Sequence, residues 1–253
     1  RRRHTGKDRR TGNASTLLIP PRPLISDNLA LVRHQIGEAA EKAGRNPDSI
    51  RLVVVSKQNP PEKVLEAYQA GARCFGENKI QEAVPKIDEV HLPDISWHFI
   101  GHLQKNKIKY LDSRFELIHS VDSLSLAEKI SAHCESQERV QAVLLQVNVS
   151  GEDAKFGMTP TELKNHLKGF GHLNGIQVRG LMTIPPQSDD PDDSRPFFSG
   201  LRELRDECQA LKIQGIQLNE LSMGMTNDFK TAVEEGATLV RVGTAIMGKR
   251  NPE

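Results

Sequence analysis

The stretch RLVVVSKQNPP (residues 51–61) joins an apolar run to a lysine and then, almost at once, to two prolines. The run is β-branched and shows no polar alternation, the pattern of a strand covered on both faces, as in a parallel sheet. Two prolines end any strand, and proline in a first helical turn favours a helix start. The segment therefore reads as a first buried strand, a lysine delivered to its C-terminal end, and a turn into a helix with the sequence PEKVLEAYQAGA.

The same unit recurs along the chain. RCFGE, SWHFIG, FELIHS, VQAVLLQVNVS, IQVRGLMTI, NELSMG and TLVRVGT read as further strands. Between them lie NKIQEAVPKIDEV (a helix interrupted at Pro85), LQKNKIKYL, SLSLAEKISAHCESQ, TPTELKNHLKGF, FFSGLRELRDECQAL and DFKTAVEEGA, which read as helices. PPQSDDPDDSRP reads as a loop whose acidic part, residues 189–193, is disordered surface. Strict β then α alternation predicts a parallel sheet with helices outside it. Eight such units in about 200 residues fit a closed α/β barrel better than an open doubly wound sheet. No Gly-x-Gly-x-x-Gly follows the first strand, which argues against a dinucleotide fold. Little sequence follows the eighth strand, so the helix over residues 26–44, capped at Ser26 or Asp27, is expected to cover that side or to guard a barrel end.

Composition narrows the partners. The 253 residues hold 34 Lys and Arg against 33 Asp and Glu, so the body of the chain suggests neither nucleic acid nor an anionic membrane. No apolar run is long enough to span a bilayer. The basic excess is confined to RRRHTGKDRRTG at the start, which has no foldable pattern and reads as a disordered extension, a nucleic-acid arm or an organelle-targeting remnant. Cys74, Cys134 and Cys208 are far apart and odd in number, and read as reduced thiols of a cytoplasmic protein.

Chemistry in such barrels sits at the C-terminal ends of the strands. The predicted strands deliver there Lys57, Glu77 with Asn78, Gly101 with His102, His119 with Ser120, Asn148 with Ser150, Met182 with Thr183, the segment SMGM, and Gly243 with Thr244. One lysine thus stands among small, neutral, hydrogen-bonding groups, with no carboxylate cluster or histidine spacing that would hold a metal. LSMGMTNDF and VRVGTAIMG each place a hydroxyl beside glycine after an apolar strand, the composition of a backbone cradle for phosphate. A phosphate cradle opposite a lysine suggests a ligand with a phosphate and an electrophilic carbon, either pyridoxal 5′-phosphate (PLP) or a sugar phosphate in a Schiff-base aldolase. Arg241 shares its face with Gly243 and points inward, toward a ring nitrogen, an anion or an interior carboxylate.

Seven ordered motifs, VVVSK, CFGENKIQE, WHFIGHLQKNK, QVNVSGEDAKFGM, GLMTI, LSMGMTNDF and VRVGTAIMG, closely resemble those of the pyridoxal phosphate homeostasis proteins, also called the YggS or PROSC family. The resemblance implies a single (β/α)8 TIM barrel of the alanine racemase N-terminal type with an extra N-terminal helix and no second domain. It divides the chain into a basic extension over residues 1–24 and a PLP-binding domain over residues 25–253. Carried over residue by residue, it implies a Schiff base on Lys57, phosphate contacts from Ser222, Met223, Gly243 and Thr244, Arg241 at the pyridine nitrogen, and Asn78 in the pocket. An arginine there keeps the ring nitrogen unprotonated, because adjacent cations repel, and weakens the cofactor as an electron sink. The resemblance implies a role in intracellular PLP homeostasis and delivery to PLP-dependent apoenzymes without substrate turnover, and the chain is expected to be a monomer.

The alternative is a fold-type III enzyme such as an amino-acid racemase, which needs an acid or base on each face of its substrate. Tyr68 and Tyr110, the chain's two tyrosines, are both predicted on outer helices. The sequence departs from many family members at Lys79 and Ile80, where they carry Tyr-Val; Lys79 is expected to solvate a helix start. His98 is a further pocket candidate, His102 and His119 could exchange protons at the rim, and Lys105, Lys107 and Lys109 form a solvated basic face.

Overall fold

A computed structural model describes residues 24–152 and 154–248; most of the basic extension expected over residues 1–24 lies outside the described residues. Eight strands, β1 (Arg51–Val55), β2 (Cys74–Glu77), β3 (Ser96–Phe99), β4 (Phe115–Val121), β5 (Gln141–Gln146), β6 (Ile176–Met182), β7 (Ile216–Ser222) and β8 (Leu239–Val242), pair in chain order. All pairs are parallel, and β1 closes on β8 from Arg51 opposite Leu239 to Val54 opposite Val242. The expected barrel is therefore closed.

Alternation along each strand builds two cores. Val53, Cys74, Leu117, Ala142, Leu144, Met182 and Leu239 fill the barrel interior. The out-of-phase residues, among them Val54, Phe75, Trp97, Phe99 and Ile118, join the larger layer beneath the helices. Trp97 and His98 divide accordingly: Trp97 packs on Phe75 with ring centroids 5.5 Å apart, while His98 faces inward to Cys74.

Helices α1 (Ile25–Lys42), α2 (Pro61–Gln69), α3 (Ile80–Val90), α4 (Leu124–Glu135), α5 (Pro160–Gly171), α6 (Arg195–Ala210), α7 (Phe229–Glu234) and α8 (Thr244–Met247) surround the barrel. The last has four residues, too few to cover β8. Helix α1 completes the ring instead, bridging α7 and α2. The Arg45 guanidinium just beyond it donates to the Val233 and Ala237 carbonyls at 2.6 and 2.8 Å, Asn28 to the Ile246 carbonyl at 3.0 Å, and Arg33 to the Gly71 carbonyl at 2.8 Å.

Several local expectations need correction. Helix α1 begins at Ile25, not at a Ser26 or Asp27 cap, because the Glu66 carboxylate accepts the Ile25 N–H at 3.3 Å and replaces a side-chain cap. Helix α3 runs unbroken through Pro85. The proline removes one hydrogen bond near the helix start, and the buried face of Ile80, Ala83, Ile87 and Val90 holds the helix across the gap. Residues 105–110 form a 3-10 helix, since Ile108 is their one buried anchor. The acidic segment is ordered: Asp190 caps a 3-10 turn at Pro191–Ser194, accepting from the Asp192 N–H.

Candidate functional site

At the C-terminal rim, β1 passes into a turn at residues 56–59, where the Asn59 N–H donates to the Ser56 carbonyl at 3.0 Å. Gln58 adopts φ 58°, and the half-buried Lys57 beside it lines a rim cavity of about 590 Å³. Asn78 after β2, Arg241 in β8, and Gly243 and Thr244 after it line the same cavity. Asn78 is seated by close approach. A Cβ at Gly101 would lie 2.0 Å from its carbonyl oxygen, so only glycine fits there.

Ser222 and Met223 are placed differently. Both are fully buried, and neither lines the cavity. The Met223 N–H is spent on the Leu239 carbonyl at 3.1 Å, and the Ser222 hydroxyl turns inward. From β7, Met225 and Thr226 reach the cavity instead, because Gly224 at φ 88° bends the chain outward. A Cβ on Gly224 would lie 2.4 Å from that of Ala232, and the Asp228 carboxylate fixes the bend by accepting the Met225 N–H at 2.6 Å.

Arg241 is buried and holds two neutral partners, Ser222 Oγ at 2.5 Å and the Thr183 carbonyl at 3.0 Å. Burial lowers its pKa to about 10, so it remains cationic at neutral pH. Behind it runs a chain of hydrogen-bonding groups. His119 Nδ1 lies 2.8 Å from Ser222 Oγ, His119 Nε2 lies 2.9 Å from His98 Nδ1, and His98 Nε2 lies 3.5 Å from Cys74 Sγ. Burial depresses the pKa of both imidazoles, His119 far below its ordinary value, and raises the Cys74 thiol to about 12. His98 and His119 are thus interior residues beneath Arg241, neither lining the cavity. His102 stays at the rim outside it, 3.3 Å from Asp122 and stacked on Phe156.

Lys155 also lines the cavity, and sequence reasoning did not single it out. Its Nζ is buried without a hydrogen bond among the described residues, 3.6 Å from Glu152. The quoted motif QVNVSGEDAKFGM contained it, but strand-end reasoning credits a residue only where its strand stops, and β5 stops at Gln146. Lys79 pairs with Glu82 at 2.7 Å in solvent, outside the cavity. A larger cavity of about 740 Å³ at the opposite end of the barrel, between the segments leading into β5, β6 and β7, has no lysine or arginine in its lining. No metal-binding cluster of His, Cys, Asp or Glu occurs among the described residues, and no helix among them is long and apolar enough to cross a membrane.

The family model of the alanine racemase N-terminal domain matches residues 28–251. The chain is 45% identical over 224 residues to the pyridoxal phosphate homeostasis protein of Aquifex aeolicus, covering 88% of this chain and 97% of that one. It is 37% identical over 231 residues to the protein of the same name from Escherichia coli K12, covering 90% and 97%. The chain belongs to the pyridoxal phosphate homeostasis protein family. Among solved structures, this family member resembles PipY of Synechococcus elongatus with PLP bound, at TM-score 0.79 and 38% identity over 88% of this chain and all of that one. Alanine racemase of Clostridium difficile shares the fold, with TM-score 0.68 and 15% identity over 90% of this chain and 58% of that one.

Proposed function

We propose that the protein binds PLP in the rim cavity, holds it reversibly as a Schiff base on Lys57, and serves PLP homeostasis and delivery to PLP-dependent apoenzymes without turning over a substrate. The observation that carries this reading is the meeting of Lys57, Arg241 and Thr244, from β1 and β8, on one cavity. Its volume of about 590 Å³ suits a small cofactor. Lys155, which lines the cavity and pairs with Glu152 at 3.6 Å without a hydrogen bond among the described residues, suits a wall that receives an anion.

When bound, PLP supplies an aldehyde that condenses with an uncharged amine, releasing water, and is set free when water returns. The chain's own residues set the terms. Lys57 is the amine. Gly243, Thr244 and Thr226 would offer a hydroxyl-bearing wall for the phosphate, and Asn78 lines the same cavity. Arg241, cationic at neutral pH, disfavours a second positive charge at a ring nitrogen beside it. Ser222 and Met223 enter as supports of Arg241 and of the β7 to β8 seam.

The racemase alternative needs a second acid or base at the cavity. Tyr68 donates to Asp94 on the outer surface at 2.7 Å and Tyr110 is exposed, so neither tyrosine serves the cavity; Lys155 and Asp228 do line it, and the assay for racemisation therefore decides between the two readings. Three buried free thiols fit a reducing cytoplasm, and the same reading takes the monomer as the working unit. Titration with PLP should give an absorbance band that Lys57→Ala abolishes, with no interconversion of D- and L-alanine. Racemisation dependent on Lys57 would overturn the claim of no turnover.

A further inference from the structure

At the end of β1, neighbouring side chains point to opposite faces. Val55 and Lys57 line the cavity, and Ser56 between them is fully buried on the helix side. There the Ser56 hydroxyl donates to Glu77 Oε1 at 2.6 Å. Lys86 of α3 donates both to Glu77 Oε1 at 2.7 Å and to the Ser56 carbonyl at 2.9 Å. The Ser56 N–H donates to the Gly76 carbonyl at 3.1 Å. Every polar group of the residue preceding Lys57 is therefore tied to β2 or α3.

The residue after Lys57 shows why such ties matter. Gln58 sits at φ 58°, a left-handed conformation that a residue with a side chain adopts at a cost, so the turn must be imposed by its surroundings. Glu77 and Lys86 are 0% and 8% exposed, and Glu77 Oε2 takes no hydrogen bond among the described residues. A buried ion pair left partly unsatisfied is seldom the most stable filling for its volume, and an apolar pair often does as well or better.

We propose that Glu77, Lys86 and Ser56 are positioning residues for Lys57: the buried pair clamps the Ser56–Lys57 peptide link and so fixes the direction in which the Lys57 amine enters the cavity. None of the three lines the cavity, so their effect passes through Lys57. The consequence for the cofactor rests on the reading of Lys57 as the amine that takes it. An amine held in one orientation reacts faster than one spread over several.

The test uses Glu77→Gln combined with Lys86→Met, which removes both charges so that neither is left buried alone, and separately Ser56→Ala. Circular dichroism establishes folding. In cofactor-free protein, acylation of Lys57 by a trace amine reagent is followed against pH and mapped by mass spectrometry, with exposed Lys79 as internal control. With PLP added, the fraction trapped on Lys57 by borohydride is compared with total cofactor bound. The clamp predicts a pH–rate curve for Lys57 that differs from wild type while that of Lys79 does not, and roughly a tenfold slower imine formation with a smaller loss of total binding. Folded variants with wild-type labelling and trapping would overturn the clamp while leaving the cofactor reading intact. If wild type itself traps nothing on Lys57, the cofactor reading fails, and the labelling curves alone decide the clamp. If the double variant does not fold, Lys86→Arg, which keeps the charge beside Glu77 but changes the donor that reaches the Ser56 carbonyl, decides by the same two outcomes.

Discussion

Arg241 Nη1 donates to Ser222 Oγ over 2.5 Å, and the same oxygen lies 2.8 Å from His119 Nδ1. The serine of β7 is therefore committed to the barrel interior. It holds the guanidinium that lines the cavity and does not face the cavity itself.

Ser222→Ala leaves a buried donor of Arg241 without its partner, which costs about 1–3 kcal/mol of stability. Urea unfolding should show that loss, while affinity for the phosphate of PLP, measured by titration with PLP, changes little. Thr244→Val should do the reverse. Removing a hydroxyl that meets a charged group costs about 1.5–3 kcal/mol of binding, tenfold or more in affinity, with an unchanged melting curve.

The paired histidines predict a pH dependence of folding. Burial lowers the pKa of His98 and His119 from the ordinary 6.5, so below that pH the unfolded chain takes up protons that the folded one refuses. Their penalty is absent well above pH 6.5 and grows as pH falls below it. Urea titrations between pH 7 and 5 should show this slope, and His98→Gln should reduce it by one proton.

The barrel was legible because its signal is periodic and repeated. Each apolar run ends at a residue that can be numbered, and β1, β2 and β8 did deliver Lys57, Asn78, Gly243 and Thr244 to one cavity. What sequence spacing does not carry is the path of the chain after a strand. Gly224 re-aims the segment after β7, so Thr226 faces the cavity where Ser222 was expected, and Lys155 arrives on a long excursion beyond β5. His98 and His119 read as pocket or rim candidates, because alternation gives a side chain's face and not its depth. Likewise α1 shows no side-chain cap, since its acceptor, Glu66, is contributed by α2.

Gly101→Ala should be far more damaging than a methyl group suggests. The new Cβ would lie 2.0 Å from the Asn78 carbonyl, backbone that cannot swing aside. A loss of about 1–3 kcal/mol, or several degrees in melting temperature, is expected together with weaker PLP binding as Asn78 shifts.

Arg45→Ala tests the closing role of α1. It removes two charge-assisted hydrogen bonds to the Val233 and Ala237 carbonyls, with an expected cost of about 2–4 kcal/mol in urea unfolding. Binding of PLP to the folded variant should stay within about twofold of wild type, because the contact lies outside the cavity.

Lys57 is proposed as the amine that takes the cofactor. Borohydride reduction of the protein after incubation with PLP, followed by peptide mapping, tests it most directly. One stable pyridoxyl adduct is expected on the peptide containing Lys57, lost in Lys57→Ala. An adduct confined to Lys155 or to surface lysines, with Lys57 unmodified, would contradict it.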